Sequence, residues 1–234
     1  MYPSIPLNKR ILYEDNHLLA VNKLPSEIVQ GDKTGDEPLS EVVKNYLKEK
    51  YHKPGNVFLG VIHRLDRPVS GVVVFAKTGK ALRRMNELVK QRAMQKTYWA
   101  IVKNKPSQPE GKLVHHLTRN TTKNKSFAGN TPRPGSKEAV LSYKLLASGE
   151  NYHLLEIDLH TGRHHQIRAQ LSAMGCPIKG DLKYGFPRSN PDASISLHAR
   201  KVSFVHPVKK ERIEIIADPT AGMLWQYFLK KVKS

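Results

Sequence analysis

The sequence predicts a mixed α+β fold, one domain built on a largely antiparallel β-sheet flanked by helices. Strand-like runs outnumber helix-like ones, and many neighbouring runs are joined by short turns. At 234 residues the chain is also long enough to bury a sizeable core. The first strands are expected at residues 10–15 and 18–22, around a polar turn, followed by a helix from Ser40 to Tyr51 with Ser40 near its cap. Two apolar runs rich in β-branched residues, Val57–Ile62 and Val72–Ala76, read as a pair of buried strands, with Pro68 and Gly71 marking a turn between them. Thr78 suits the cap of a helix through Lys90, in which Leu82, Met85 and Leu88 recur at helical spacing. Tyr98 falls in an alternating strand, and further strands are expected over residues 139–147 and 152–159. Gly162 then opens a helix carrying Gln166, Ile167 and Leu171 that ends near Gly175, a residue type suited to a C-terminal cap. A last helix begins after Asp218-Pro219.

Charge narrows the partner. Lysine and arginine number 39 against 20 acidic residues, a formal net charge of +19, which points to nucleic acid. The stretch from Arg119 to Lys137 contains Arg119, Lys123, Lys125, Arg133 and Lys137 and no acid. Its Asn, Gly and Pro residues read as a flexible basic loop able to close on phosphates. The one cysteine, Cys176, excludes an intramolecular disulfide and thiolate metal knuckles, and fits a reducing cytoplasm. Residues 1–10 carry no apolar leader core, and no apolar run approaches a membrane span, so neither export nor insertion is expected.

The chemistry-bearing segment is His63-Arg64-Leu65-Asp66-Arg67-Pro68-Val69-Ser70-Gly71. It sets one carboxylate between two arginines on a tight connection between two apolar runs. Flanking positive charge favours the ionised, nucleophilic form of such an acid. The residue types alone leave a surface ion pair equally open.

The run HRLDRPVSGVVVFAKT is similar to the catalytic motif of the RluA family of RNA pseudouridine synthases: HRLD, two variable positions, then Thr-Ser-Gly and an apolar strand ending in Ala-Lys. Three further segments agree in order. Lys96-Thr97-Tyr98-Trp99-Ala100-Ile101-Val102 resembles the family's Lys-x-Tyr-x-Ala-x-Val strand, and Thr161–Arg168 resembles its Thr-Gly-Arg-x-His-Gln-Ile-Arg segment. Gly180-Asp181 with Tyr184-Gly185, Leu197-His198-Ala199 and Phe204-Val205-His206-Pro207 complete the match, which runs from about Ile11 to Pro219.

The resemblance implies the pseudouridine synthase fold and isomerisation of specific uridines in structured ribosomal or transfer RNA. The target nucleotide is flipped into a pocket, and no metal, nucleotide or other cofactor takes part. It implies Asp66 as nucleophile and Tyr98 as the residue that stacks near the base and removes the ring proton. Arg168 is implied as the cation holding Asp66, with Arg67 and Arg163 as RNA contacts and His63, Arg64 and Gln166 as RNA or structural contacts. Arg163 is assigned to phosphate on the expectation that it lies at a helix start. One catalytic domain over residues 1–234 is expected, without the separate N-terminal RNA-binding domain of many relatives.

Departures from the family pattern are Val69 for the usual threonine, Gln170 for a frequent histidine, and Asn22-Lys23-Leu24-Pro25-Ser26-Glu27-Ile28-Val29 for the Asn-Lys-Pro-x-Gly segment, with Leu24 inserted and the glycine missing. Two other readings are a basic RNA-binding protein without catalysis and a metal-dependent nuclease using His160, His164 and His165. The sequence has no HExxH, and no Gly-Lys-Ser/Thr order in the basic loop to suggest ATP.

Overall fold

The computed structural model describes residues 5–32, 34–220 and 222–233. In chain order the elements are β1 (Ile11–Glu14), β2 (Leu18–Lys23), α1 (Leu39–Lys50), β3 (Gly60–Val61), β4 (Ser70–Ala76), α2 (Gly79–Lys90), β5 (Gln95–Val102), β6 (Glu110–Asn120), β7 (Lys125–Gly129), β8 (Lys137–Ser148), β9 (His153–Leu159), α3 (Gln166–Ala173), β10 (Leu197–Val205), β11 (Arg212–Ile216) and α4 (Met223–Lys233). Short 3-10 turns occupy Leu7–Arg10 and Leu182–Tyr184. This is the expected α+β class. No helix among the described residues is long and apolar enough to cross a membrane. Contacts gather the elements into two compact units, Met1–Met94 with Ala199–Asp218, and Gln95–His198 with Pro219–Ser234.

In the first unit β2 is antiparallel to β1 and to β4, in a register running from Leu18↔Ala76 to Lys23↔Gly71, and β10 is antiparallel to β11. Alternation sends Leu18, Ala20, Val72, Val74, Ala76, Val202, Phe204 and Ile215 to one face, where Ala81 and Met85 of α2 complete the core. The Thr78 hydroxyl accepts from the Ala81 N–H at 3.2 Å, the expected cap of α2. Helix α1 starts one residue earlier than its sequence suggests and has no side-chain cap. Instead the Leu39 and Ser40 N–H groups donate to the carbonyls of Ile28 (2.7 Å) and Val29 (3.2 Å). The strand expected over Val57–Ile62 shrinks to β3, two residues paired with Ala76 and Phe75, and the Phe58 side chain is half exposed.

In the second unit five antiparallel strands lie in the order β5-β9-β8-β6-β7. On one face Trp99, Ile101, Ala147 and Leu154 pack with Trp225 and Phe228 of α4. On the other, Leu117 and Ala139 meet Ala169 of α3 and Tyr184.

Three expectations change here. Much of the basic loop 119–137 is a β-hairpin, with β6 and β7 paired from His116↔Gly129 to Asn120↔Lys125. Helix α3 begins at Gln166, not Gly162, because His165 before it sits in the left-handed region at φ +52°. Helix α4 begins at Met223, four residues beyond Pro219.

Candidate active site

The connection that carries Asp66 is pinned from beneath. Lys23, the last residue of β2, is fully buried, and its Nζ donates to the carbonyls of Val69 (2.7 Å), Leu24 (2.9 Å) and Arg67 (3.1 Å). The Arg67 carbonyl also accepts from the Ser26 N–H at 2.9 Å, and the Val69 N–H donates to the Asp66 carbonyl at 3.0 Å. One ammonium thus ties the turn after β2 to residues on the C-terminal side of Asp66, leaving Asp66 itself partly exposed. Burial lowers the Lys23 pKa to about 7, against the opposing pull of the Glu27 and Asp66 carboxylates. At Gly71 the backbone takes φ +117°, and a Cβ there would fall 2.3 Å from the Ala199 carbonyl oxygen. Only glycine fits this position, which closes the loop onto the sheet.

The departures from the family pattern become intelligible. Val69 is buried, at 2% exposure, so its apolar side chain stands where a hydroxyl would need a partner. In the segment where the pattern's glycine is missing, Ser26 adopts φ +72°, the conformation glycine suits. Glu27 holds this turn by accepting from the Leu24 N–H and from Arg10, both at 2.8 Å.

The flanking residues divide. His63 accepts the Val74 N–H on Nε2 at 3.1 Å and so serves strand β4. Arg64 is exposed. Arg67 is directed to surface partners, donating to Asp36 and, at 2.9 Å, to Thr34. The positive charge expected to flank Asp66 on that side is therefore bound to another acid.

In the second unit Tyr98 is buried in β5, and the strand registers set it on the α3 side of the sheet. Tyr98 faces Ile157, Ile157 faces Tyr143, and Tyr143 shares its face with Ala139, against which Ala169 packs. On α3, Arg168 is buried and holds Asp181 through two hydrogen bonds, Nε to Oδ2 at 2.7 Å and Nη2 to Oδ1 at 2.9 Å. The guanidinium also lies 5.0 Å from the ring centroid of Tyr184.

The loop before α3 is locked to β8. Thr161 accepts the Val140 N–H at 2.8 Å and donates to Gln166 Oε1 at 2.8 Å, while Gln166 Nε2 donates to the Val140 carbonyl at 3.1 Å. Gln166 is 3% exposed, so of the RNA and structural roles expected for it the structure favours the structural one. Arg163 precedes the helix, and its Nε donates to the Glu138 carbonyl at 3.0 Å, which replaces the expected place at a helix N-terminus. Gln170 is fully buried, with Nε2 close to the carbonyls of Leu113 and Ala139 and to His115.

The histidines proposed for a metal have other partners. His160 meets Ser142, His164 meets Ser126 and Asn124, and His165 meets Tyr184. Among the described residues no group of three or more His, Cys, Asp or Glu is placed to hold a metal ion.

Sequence reasoning missed Lys23 and Asp181. Lys23 ends an apolar run like any strand-end lysine, and Asp181 was visible only as part of a Gly-Asp motif without a role.

Comparison with known proteins decides the family. The model for RNA pseudouridylate synthase matches residues 17–173. The chain is 33% identical over 216 residues to the uncharacterised RNA pseudouridine synthase YhcT of Bacillus subtilis, covering 91% of this chain and 69% of that protein. It is 31% identical over 230 residues to ribosomal large subunit pseudouridine synthase D of Zymomonas mobilis, covering 94% of this chain and 71% of the relative. The chain belongs to the RNA pseudouridylate synthase family. Relatives that are ribosomal pseudouridine synthases of types D and C place it in the RluA branch of these RNA isomerases. Against an uncharacterised synthase of Synechocystis, 35% identical over 222 residues, it covers 92% of its own length and 66% of the relative, so it spans about two thirds of such proteins. The fold agrees with human RNA pseudouridylate synthase domain containing 4, at a TM-score of 0.77, 24% identity, 97% coverage of this chain and 94% of that one.

Proposed function

We propose that this chain is an RNA pseudouridine synthase that isomerises specific uridines in structured ribosomal or transfer RNA, in the cytoplasm, with Asp66 as nucleophile. The observation that carries the reading is the Asp66 connection itself: a partly exposed carboxylate on a loop whose Arg67 and Val69 carbonyls are held by one buried lysine. Preorganisation of this kind suits a residue that must meet a reacting atom in one geometry. Ribosomal substrates are favoured because relatives carry the name ribosomal large subunit pseudouridine synthase.

Isomerisation breaks the bond from ribose to the ring nitrogen, turns the base, and forms a bond to ring carbon in its place. No atom is gained or lost overall and no electron is transferred. Asp66 assists by attacking the base or the sugar and is released when the new bond forms. Tyr98 takes the proton that leaves the ring carbon. Arg168, buried and oriented by Asp181 and Tyr184, is the proposed partner of the Asp66 carboxylate. Both units serve as one catalytic domain. The target base leaves its stack at a cost of about a few kcal/mol, which basic and aromatic contacts recover. Of the RNA contacts suggested by resemblance, Arg64 and Arg67 are the exposed cations nearest Asp66 in sequence, and of these Arg67 is paired with Asp36.

The test is a pseudouridine map of total RNA from cells lacking the gene, rescued with wild type or with Asp66→Asn. One or more sites should vanish and return only with wild type. A map unchanged by deletion would oppose the reading and favour RNA binding without catalysis.

A further inference from the structure

Three lysines are desolvated, and two of them have acceptors. Lys23 has three carbonyls, and Lys179 donates to Asn190 Oδ1 at 2.5 Å. Lys96, two residues before Tyr98 in β5, differs. Among the described residues no hydrogen bond or ion pair reaches its Nζ, and its surroundings hold its pKa below the ordinary lysine range with no neighbouring charge contributing.

The strand register explains why no acid compensates it. Strand β9 offers two carboxylates to β5, in the pairs Thr97↔Asp158 and Trp99↔Glu156. Both point away from the face that Lys96 shares with Tyr98. Asp158 accepts from Thr97 Oγ1 at 2.8 Å, and Glu156 accepts from Trp99 Nε1 at 3.1 Å. On the Lys96 face, β9 presents Leu155 and Ile157, and β8 presents Leu141 and Tyr143, all buried. Alternation thus leaves a cation at the margin of an apolar sheet face, beside the tyrosine assigned to proton removal.

A lysine held this way costs stability, because its hydration is reduced and nothing within the protein replaces it. Lys96 is nevertheless partly exposed, so an anion can reach it from solvent. The anion that an RNA substrate carries at every nucleotide is phosphate, which a lysine binds as a point charge.

We propose that Lys96 binds a backbone phosphate of the RNA substrate at or next to the target nucleotide, and so sets the depth at which the base meets Tyr98. This rests on the RNA-isomerase reading above. It adds a phosphate site on β5 to the contacts already suggested on the Asp66 connection and around the start of α3.

The experiment compares wild type, Lys96→Met and Lys96→Arg on unmodified large-subunit ribosomal RNA made by transcription. It measures thermal stability of the free protein, affinity across a salt series, and pseudouridine formation. Lys96→Met should melt at a higher temperature than wild type and bind RNA about tenfold more weakly. The slope of log K against log salt should be shallower by about 0.7–0.9, the contribution of one phosphate contact. KM should rise in proportion, with kcat reduced less than KM is raised, and Lys96→Arg should recover most of the affinity and the slope. A Lys96→Met protein that is destabilised with an unaltered salt slope would overturn the proposal and leave Lys96 a structural residue. Pseudouridine formed by wild type, with equal affinity in all three proteins, would overturn it too while sparing the functional reading. Absence of product from wild type on this RNA and on transcribed transfer RNA would instead remove the functional reading and this inference with it.

Discussion

Replacing Lys23 by methionine removes the ammonium that gathers the Leu24, Arg67 and Val69 carbonyls while nearly preserving side-chain volume. The Arg67 carbonyl keeps the Ser26 N–H, whereas those of Leu24 and Val69 lose the Lys23 donor, each at about 1–3 kcal/mol if left unmatched in the interior. Relief of the buried charge offsets part of this loss. The pH dependence isolates that charge. Lys23 titrates near 7 in the folded protein and near 10.5 when unfolded. Below about pH 7 both states bind the proton and the residue contributes no slope. Between about pH 7 and 10.5 the unfolded chain holds the proton and the folded one does not, so this residue makes stability rise by about 1.4 kcal/mol per pH unit. The wild-type advantage over Lys23→Met should therefore be about 3 kcal/mol larger at pH 9 than at pH 6. Urea unfolding of both proteins at the two pH values, followed by far-ultraviolet circular dichroism, measures the difference. Parallel pH dependences would show that the Lys23 charge is not desolvated, and would refute the picture of a loop tied to a buried ammonium.

Three further outcomes are expected. Gly71→Ala should lose at least about 3 kcal/mol or fail to fold, because the added methyl meets the Ala199 backbone at 2.3 Å and φ is +117°; a melting temperature within a few degrees of wild type would contradict the tight strand contact. Asp181→Ala should destabilise by about 3–5 kcal/mol, since it strips a buried arginine of a two-point acid partner. Chemical denaturation checks this, and a loss under about 1 kcal/mol would mean that Arg168 is readily compensated. Tyr98→Phe should keep the fold and RNA affinity and lower pseudouridine formation by at least about 100-fold, the usual scale for a general base; normal turnover would return Tyr98 to a packing role.

Much of the fold was legible because periodicity and burial coincide. The β-branched run at Val72–Ala76 and the alternation around Tyr98 became strands within a few residues of expectation, and Thr78 caps its helix as read. What escaped was set by partners distant in the chain. The β6–β7 hairpin hides in a basic, Asn- and Gly-containing stretch because its order comes from backbone pairing across Asn120↔Lys125 and Thr118↔Phe127, not from an apolar stripe. The start of α3 shifted because His165, not a glycine, takes the left-handed position. Resemblance supplied the chemistry of Asp66, but the support beneath it was invisible. A lysine ending a strand reads as surface unless the carbonyls that receive it, 1, 44 and 46 residues away, are known. The same holds for Asp181, which meets Arg168 across 13 residues and a turn.

The most direct test is pseudouridine formation in transcribed ribosomal and transfer RNA by purified wild-type protein and by Asp66→Asn, with RNA affinity measured alongside. Product from wild type only, at similar affinity in both proteins, is the expected result. Turnover by the pure Asp66→Asn protein would contradict the assignment of Asp66 as the nucleophile.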